Sequence, residues 1–162
     1  MRQDQFERLY EEHARPLLAF LAYRTGNRVL AEDILADTFE RVLRARRRFD
    51  PRKASEKTWL YSIALNCLRD SGRRQAAESR ALERAVAVPA ADTGPDSLDL
   101  VEERDRLSRA LEALSPEERE AVALRYGADL TVPEIAKVLR EPVTTVEGRV
   151  YRALRKLRET LD

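Results

Sequence analysis

Within residues 76–103 the chain loses its periodicity. The stretch AVAVPAADTGPDS, residues 85–97, strings together Pro, Gly, Asp and small side chains. Neither a helical nor a strand repeat survives two prolines and a glycine so close together. This break limits the fold more than any other feature. A chain of 162 residues divided near its middle must bury its apolar surface in two small units. The expected division is residues 1–75, a connector over 76–103, and residues 104–162.

The flanking segments are built for helices. Ala, Leu, Arg and Glu dominate, aromatics make up 6% and glycine numbers only 5, so the expected fold class is all-α, two small helical domains. A single Cys and a single His exclude a disulfide framework, a CxxC zinc site and a histidine cluster. Neither a nucleophile–base set nor a glycine-rich phosphate loop is present, so no enzyme and no cofactor are expected. No apolar run approaches the roughly 18 residues of a membrane span. The start MRQDQFERLYEEH is too acidic for a signal peptide. A cytoplasmic protein without membrane insertion is expected.

Charge is distributed unevenly. Residues 1–75 hold 16 basic against 11 acidic residues, whereas residues 76–104 hold 3 against 7. Residues 148–158 hold five basic residues and no acidic one. Two basic surfaces flanking an acidic connector suit a polyanionic partner.

In the first segment, Phe6, Leu9, Tyr10, His13, Leu17 and Leu21 follow a helical rhythm over Gln3 to Tyr23. Pro16 lies inside it and is a candidate kink. His13 falls on the apolar stripe and is expected in the core. Asn27 is a candidate N-cap for a helix from Arg28 to Arg47, with Leu30, Ile34, Leu35, Phe39 and Val42 inward. Asp33, Asp37, Glu40 and Arg44 share another face, which spacing alone leaves open between a solvated surface and a contact. The loop RFDPRKAS follows, and Ser55 caps a third helix, Glu56 to Arg73. Leu60, Ile63, Ala64, Cys67 and Leu68 face inward. Asn66, Arg69 and Arg73 lie opposite, joined by Arg74, while Trp59 and Tyr61 flank the helix start. Amide, guanidinium and aromatic groups on one helix suit phosphates, base edges and unstacked bases.

The second segment is punctuated by the capping-box pattern. SPEE offers Ser115 with Glu118, TVPE offers Thr131 with Glu134, and TTVE offers Thr144 with Glu147. Helices are therefore expected to start near 116, 132 and 145, after one ending near Leu114. The last should run to Leu161, with Val146, Val150, Leu154, Leu157 and Leu161 inward and Thr145, Arg149, Arg152 and Lys156 outward. A short helix, a tight turn and a basic helix form a helix-turn-helix pattern; a solvated arginine face is the alternative.

At this point the motifs resemble a known family. AEDILADTFERVLRARRRFDP and KTWLYSIALNCLRDSGRR resemble region 2 of the sigma-70 family, in its small extracytoplasmic-function group. LSPEEREAVALRY, LTVPEIAKVL and PVTTVEGRVYRALRKL resemble region 4, in the family's order and spacing. The resemblance implies a non-catalytic subunit of bacterial RNA polymerase that recognises promoters. It implies that Asp33, Asp37, Glu40 and Arg44 bind the polymerase clamp helices, and that the loop from Phe49 to Lys57 holds a flipped −10 base. Arg52, Lys57, Trp59, Asn66, Arg69, Arg73 and Arg74 become the candidate −10 contacts on single-stranded DNA, Trp59 either packing in the core or separating strands. Thr144, Thr145, Glu147, Gly148, Arg149, Arg152 and Lys156 become the candidate −35 contacts on duplex DNA, with Arg155, Lys156 and Arg158 facing phosphates or the polymerase flap. An anti-sigma partner is implied, and the connector is implied to thread through the core enzyme.

The sequence departs from the family pattern at the helix-turn-helix. Arg140-Glu141 stand where Gly and an aliphatic residue are usual, Glu147 where a basic residue is usual, and Gly148 where a small polar one is usual. Pro133 replaces a common acidic residue. Glu147 therefore has two readings, as N3 of a capping box or as an acceptor for cytosine N4. Two functional alternatives stay open. One is a helix-turn-helix regulator that binds duplex DNA without polymerase. The other is a sigma-like chain that has become mainly an interaction module, with a weakened −35 grip.

Overall fold

The computed structural model describes residues 1–82 and 98–162, and the chain divides into two compact units, Met1–Ala91 and Asp92–Asp162. The core of the expected connector, residues 83–97, lies outside the described residues. Among the described residues every regular element is helical.

The N-terminal unit packs three helices: α1 (Gln3–Thr25), α2 (Arg28–Ala45) and α3 (Glu56–Leu82). Helix α1 runs unbroken past Pro16 and stops at Gly26, whose left-handed backbone (φ 63°) suits a residue without Cβ. Asn27 opens α2 as expected, its Oδ1 accepting from the Leu30 N–H at 3.2 Å. The last turn differs: α2 ends at Ala45, and Arg46–Arg48 form a 3₁₀ turn. Leu9, Leu17, Phe20 and Leu21 of α1 close the core with Ala31, Ile34, Phe39 and Val42 of α2 and Leu60, Tyr61, Ala64, Leu65 and Cys67 of α3. His13 is half-buried on the inward stripe, and burial holds its pKa below the ordinary value.

Two expectations are corrected here. Tyr61 does not share the partial exposure of Trp59. It is fully buried, its ring edge-on to Phe20 at 5.7 Å, because it follows Leu60 on the side of α3 that α1 covers. The second concerns length. Helix α3 continues past Arg73 to Leu82, and helix α4 already begins at Leu98, so both ends of the expected connector are helical. The residues QAAESRAL are mostly strong helix formers, and their propensity carries the helix onward.

The C-terminal unit holds α4 (Leu98–Glu112), α5 (Pro116–Val122) followed by a π turn over Ala123–Gly127, α6 (Val132–Leu139) and α7 (Val143–Leu161). Leu114, Ala121, Leu124, Leu130, Ile135, Val138, Leu139, Val146, Val150 and Ala153 form its core. Arg106 of α4 reaches the Leu161 carbonyl at 2.9 Å and ties the last turn of α7. Two capping boxes form as expected, Ser115 with Glu118 and Thr131 with Glu134. Helix α6 ends in a Schellman motif, in which the Arg140 N–H donates to Lys137 O at 3.3 Å and the Glu141 N–H to Ala136 O at 3.0 Å. Arg140 takes the left-handed position, φ 56° and ψ 44°, normally left to glycine.

Candidate nucleic-acid interface

In the N-terminal unit, α2 and α3 line a charged groove formed by Asp37, Glu40, Arg41, Arg44, Asp70, Arg73 and Arg74. Its charges are interlocked. Asp70 accepts from Arg41 at 3.0 Å and from Arg73 at 2.9 Å. Arg74 lies 3.8 Å from Asp37, and Arg44 donates to Glu40 at 2.6 Å. Three of the four expected polymerase-contact residues thus share one groove with two expected −10 residues; Asp33 is exposed on α2 outside that lining. Sequence reasoning missed Arg41 and Asp70. Asp70 follows Asn66 by four residues, and that spacing was the available signal. Asn66 and Arg69 stand exposed on α3.

The loop before α3 is built around two aromatic rings. Phe49 and Trp59 pack at 5.0 Å with a 44° tilt, and Trp59 stays half-buried. Ser55 caps α3, its hydroxyl accepting from the Thr58 N–H at 3.1 Å. Asp50 closes the turn by accepting from the Arg52 backbone at 3.0 Å and its guanidinium at 3.1 Å. That pair holds the Asp50 carboxyl below its ordinary range. Lys57 is half-buried, close enough to His13 to oppose its protonation.

In the C-terminal unit, α6, the turn Arg140–Pro142 and α7 make a helix-turn-helix. The third expected capping box does not form. Helix α7 starts at Val143 with Pro142 as its N-cap and no side-chain cap. The Pro142 carbonyl accepts from Thr145 at 3.1 Å and Val146 at 3.3 Å. Proline fixes its own φ, so the chain leaves the Schellman turn already aimed into the helix. Thr144 lies inside the first turn, and Glu147 stands two residues beyond N3. The capping reading of Glu147 is thereby overturned.

The outward face of α7 is also displaced, by about a quarter of a helical turn. Of the expected DNA face, Arg149 and Lys156 lie on a flank bordered by carboxylates, whereas Thr145 and Arg152 stay exposed at its edge. Arg149 is paired with Glu141 of the turn, its side chain only 18% exposed. Lys156 Nζ donates to Glu118 Oε2 at 2.8 Å, and Arg152 Nε lies 3.7 Å from Glu118 Oε1. Glu118 is buried, and its carboxyl is held below the ordinary value, first by the Lys156 hydrogen bond, against burial. The exposed centre of α7 holds Thr144, Glu147, Tyr151 and Arg155, with Gly148 half-buried beside them. Tyr151 is 68% exposed and was missed from sequence. Glu147, Tyr151 and Arg155 follow at i, i+4, i+8 on one face, a signal masked by the arginine spacing.

These features define a class: an all-helical DNA-binding protein with a helix-turn-helix in one unit and a charged, aromatic-bearing helical surface in the other. Comparison with known proteins is more specific. Residues 9–78 match Sigma-70 region 2, and residues 104–157 match Sigma-70, region 4. The chain is 36% identical over 159 residues to the RNA polymerase sigma factor CarQ of Myxococcus xanthus, covering 98% of this chain and 90% of CarQ. It is 29% identical over 166 residues to the ECF RNA polymerase sigma factor SigX of Bacillus subtilis, covering 99% of this chain and 85% of SigX. The solved structure of CnrH, in complex with the cytosolic domain of CnrY, superposes with a TM-score of 0.70 at 28% identity, covering 99% of this chain and 90% of CnrH. The chain belongs to the sigma-70 family, in its extracytoplasmic-function group. Among the described residues no helix is long and apolar enough to cross a membrane, and no cluster of potential metal ligands occurs.

Proposed function

We propose that this chain works in the cytoplasm as a non-catalytic promoter-recognition subunit, directing core RNA polymerase to start transcription at promoters carrying matched −10 and −35 elements. The observation that carries this is the coincidence of two compact helical units with two separate sigma-70 regions, in order, along one chain. A regulator that binds duplex DNA alone leaves the N-terminal unit without a role and is not favoured.

In this reading Asp33, Asp37, Glu40 and Arg44 dock on the polymerase clamp helices, with Arg41 bracing that surface. Asn66, Arg69, Arg73 and Arg74 take −10 bases and phosphates. Arg52, Lys57 and Trp59 border the pocket for an unpaired base. Capture of unpaired bases offsets the cost of unstacking and so favours the melted promoter. Helix α7 enters the −35 major groove with Thr144, Glu147, Gly148 and Tyr151 toward base edges and Arg152 and Arg155 toward bases or phosphates; Thr145, Arg149 and Lys156 sit on the flank. Glu147 is free of the cap and available to accept from cytosine N4. Neither small unit grips DNA tightly alone; polymerase tethers both, so that they act together. A protein partner that binds this chain, as the cytosolic domain of CnrY binds CnrH, is proposed as the regulator, and an anti-sigma factor is the class the family resemblance implies.

Run-off transcription with core polymerase on a randomised promoter library tests the assignment. Discrete transcripts from templates sharing two elements are expected; failure of the chain to bind core polymerase in a pull-down would refute it. The carboxylate pairing of Arg149, Arg152 and Lys156 favours a second reading, a sigma factor with a weak −35 grip. Transcription from −10-only templates at near-full level would support that one.

A further inference from the structure

The two capping boxes of the C-terminal unit differ in a way that helix capping does not explain. At Thr131 the box closes at the surface, Glu134 accepting from the Thr131 N–H at 2.7 Å. At Ser115 the same motif is turned inward. The Glu118 side chain is only 8% exposed, and both its oxygens face α7. Oε2 accepts from the Ser115 N–H at 3.1 Å and from Lys156 Nζ at 2.8 Å, while Oε1 lies 3.7 Å from Arg152 Nε. A cap needs one acceptor oxygen and no burial. A carboxylate placed under a helix and matched by two cations of that helix is arranged for something else.

Arg152 is the residue it acts on. A Cβ at Gly148 would stand 3.1 Å from Arg152 Nη1, so the guanidinium folds back over the one place on α7 where the side chain is missing. Glu118 lies behind it as an ion-pair partner, at a distance too long for a hydrogen bond, and Gly148 leaves room beneath. Lys156 is satisfied by the same carboxylate and has less charge left for phosphates. An arginine whose fork is biased toward one direction before it meets DNA loses less freedom on binding and tolerates fewer partners.

We propose that Glu118 is a positioning residue for promoter recognition: it orients Arg152 across Gly148 and sets the base preference of the recognition helix without touching DNA. This rests on the sigma-factor reading above. Glu118→Gln keeps an oxygen for the Ser115 N–H and removes the charge. Holoenzyme reconstituted with the full chain is assayed on templates with a fixed −10 element and a randomised −35 element. A preference of roughly tenfold or more at the base pair met by a fixed arginine fork is expected to fall to within about threefold. In an Arg152→Ala background, Glu118→Gln should change nothing further. Ser115→Ala breaks the cap from its other side and should lower the melting temperature with no change in preference. An unchanged base preference in Glu118→Gln, or an equal loss in Ser115→Ala, overturns the proposal.

Should Glu118→Gln alone fail to fold, Glu118→Gln/Lys156→Met removes both charges of the half-buried pair and gives the same decision on base preference. A second measurement needs no polymerase. Binding of the full chain to non-specific duplex DNA should show a slope of log K against log salt steeper by about one to two in Glu118→Gln, because two cations are released toward phosphates. An unchanged slope counts against Glu118 whatever the transcription assay shows. Absence of promoter-specific transcripts with the unaltered chain instead counts against the sigma-factor reading.

Discussion

Replacing Arg140 by glycine should stabilise the C-terminal unit. Arg140 closes α6 with φ 56° and ψ 44°, a conformation in which Cβ crowds the following carbonyl at a cost of about 1–2 kcal/mol for an L-residue. Glycine removes that cost but gives back about 0.4–1 kcal/mol through the greater freedom of the unfolded chain. Neither backbone hydrogen bond of the Schellman motif uses the arginine side chain, so both persist. The net gain is about 0.5–1 kcal/mol, or roughly 3–6 °C for a domain of this size. Urea and thermal unfolding should be followed by two probes. Trp59, the only tryptophan, lies in the N-terminal unit, so its fluorescence reports the unit that is not altered. Far-UV circular dichroism reports both. Arg140→Gly should move the later or earlier component of the dichroism signal upward and leave the Trp59 transition in place. Arg140→Ala is the control, because alanine keeps the Cβ and should stay within about 0.5 kcal/mol of the parent. If Arg140→Ala stabilises as much as Arg140→Gly, relief of charge rather than of backbone strain is responsible and the reasoning fails.

Three further expectations concern the same unit. Ser115→Ala should cost about 1 kcal/mol, whereas Thr144→Ala should cost well under that, because only Ser115 is an N-cap; equal losses in chemical denaturation would restore the third capping box. Glu118 has a lowered folded pKa, so its stabilising contribution is complete above its ordinary value of 4.5 and is lost as pH falls through the lower folded value. Acid unfolding should therefore be shallower in Glu118→Gln over that interval, and an identical acid limb would contradict the pairing. Glu147→Lys should change which base is preferred in the −35 element; a change confined to affinity and salt slope would remove Glu147 as a base reader.

Much of this protein could be read from its residues in order. The apolar stripes placed α1, α2 and α3, and the Asn27, Ser55, Ser115 and Thr131 caps marked four helix starts. These are local rules, acting over one or two helical turns, and no neighbour is needed to obey them. The start of α7 escaped because two local signals competed: a Thr-x-x-Glu box against a proline already aimed by the turn before it. The nearer backbone constraint prevailed. The run of helix beyond Arg73 is hidden because the Pro, Gly and Asp of the break dominate the composition around it, although its own Ala, Gln and Glu residues favour a helix.

What no local rule could decide is which charged side chains meet one another. The sequence announces Arg149, Arg152 and Lys156 as an unbroken basic stripe. It cannot announce that Glu141, bent back by the Schellman turn, and Glu118, 38 residues before Lys156, would lie along that stripe. Ion pairs of this kind depend on how α5 and the turn pack against α7, and packing is settled by the whole unit's core. The helices were therefore legible as helices, and their family as a family. The face that α7 offers to DNA, and the carboxylate that steadies Arg152 behind it, exist only once the unit has folded.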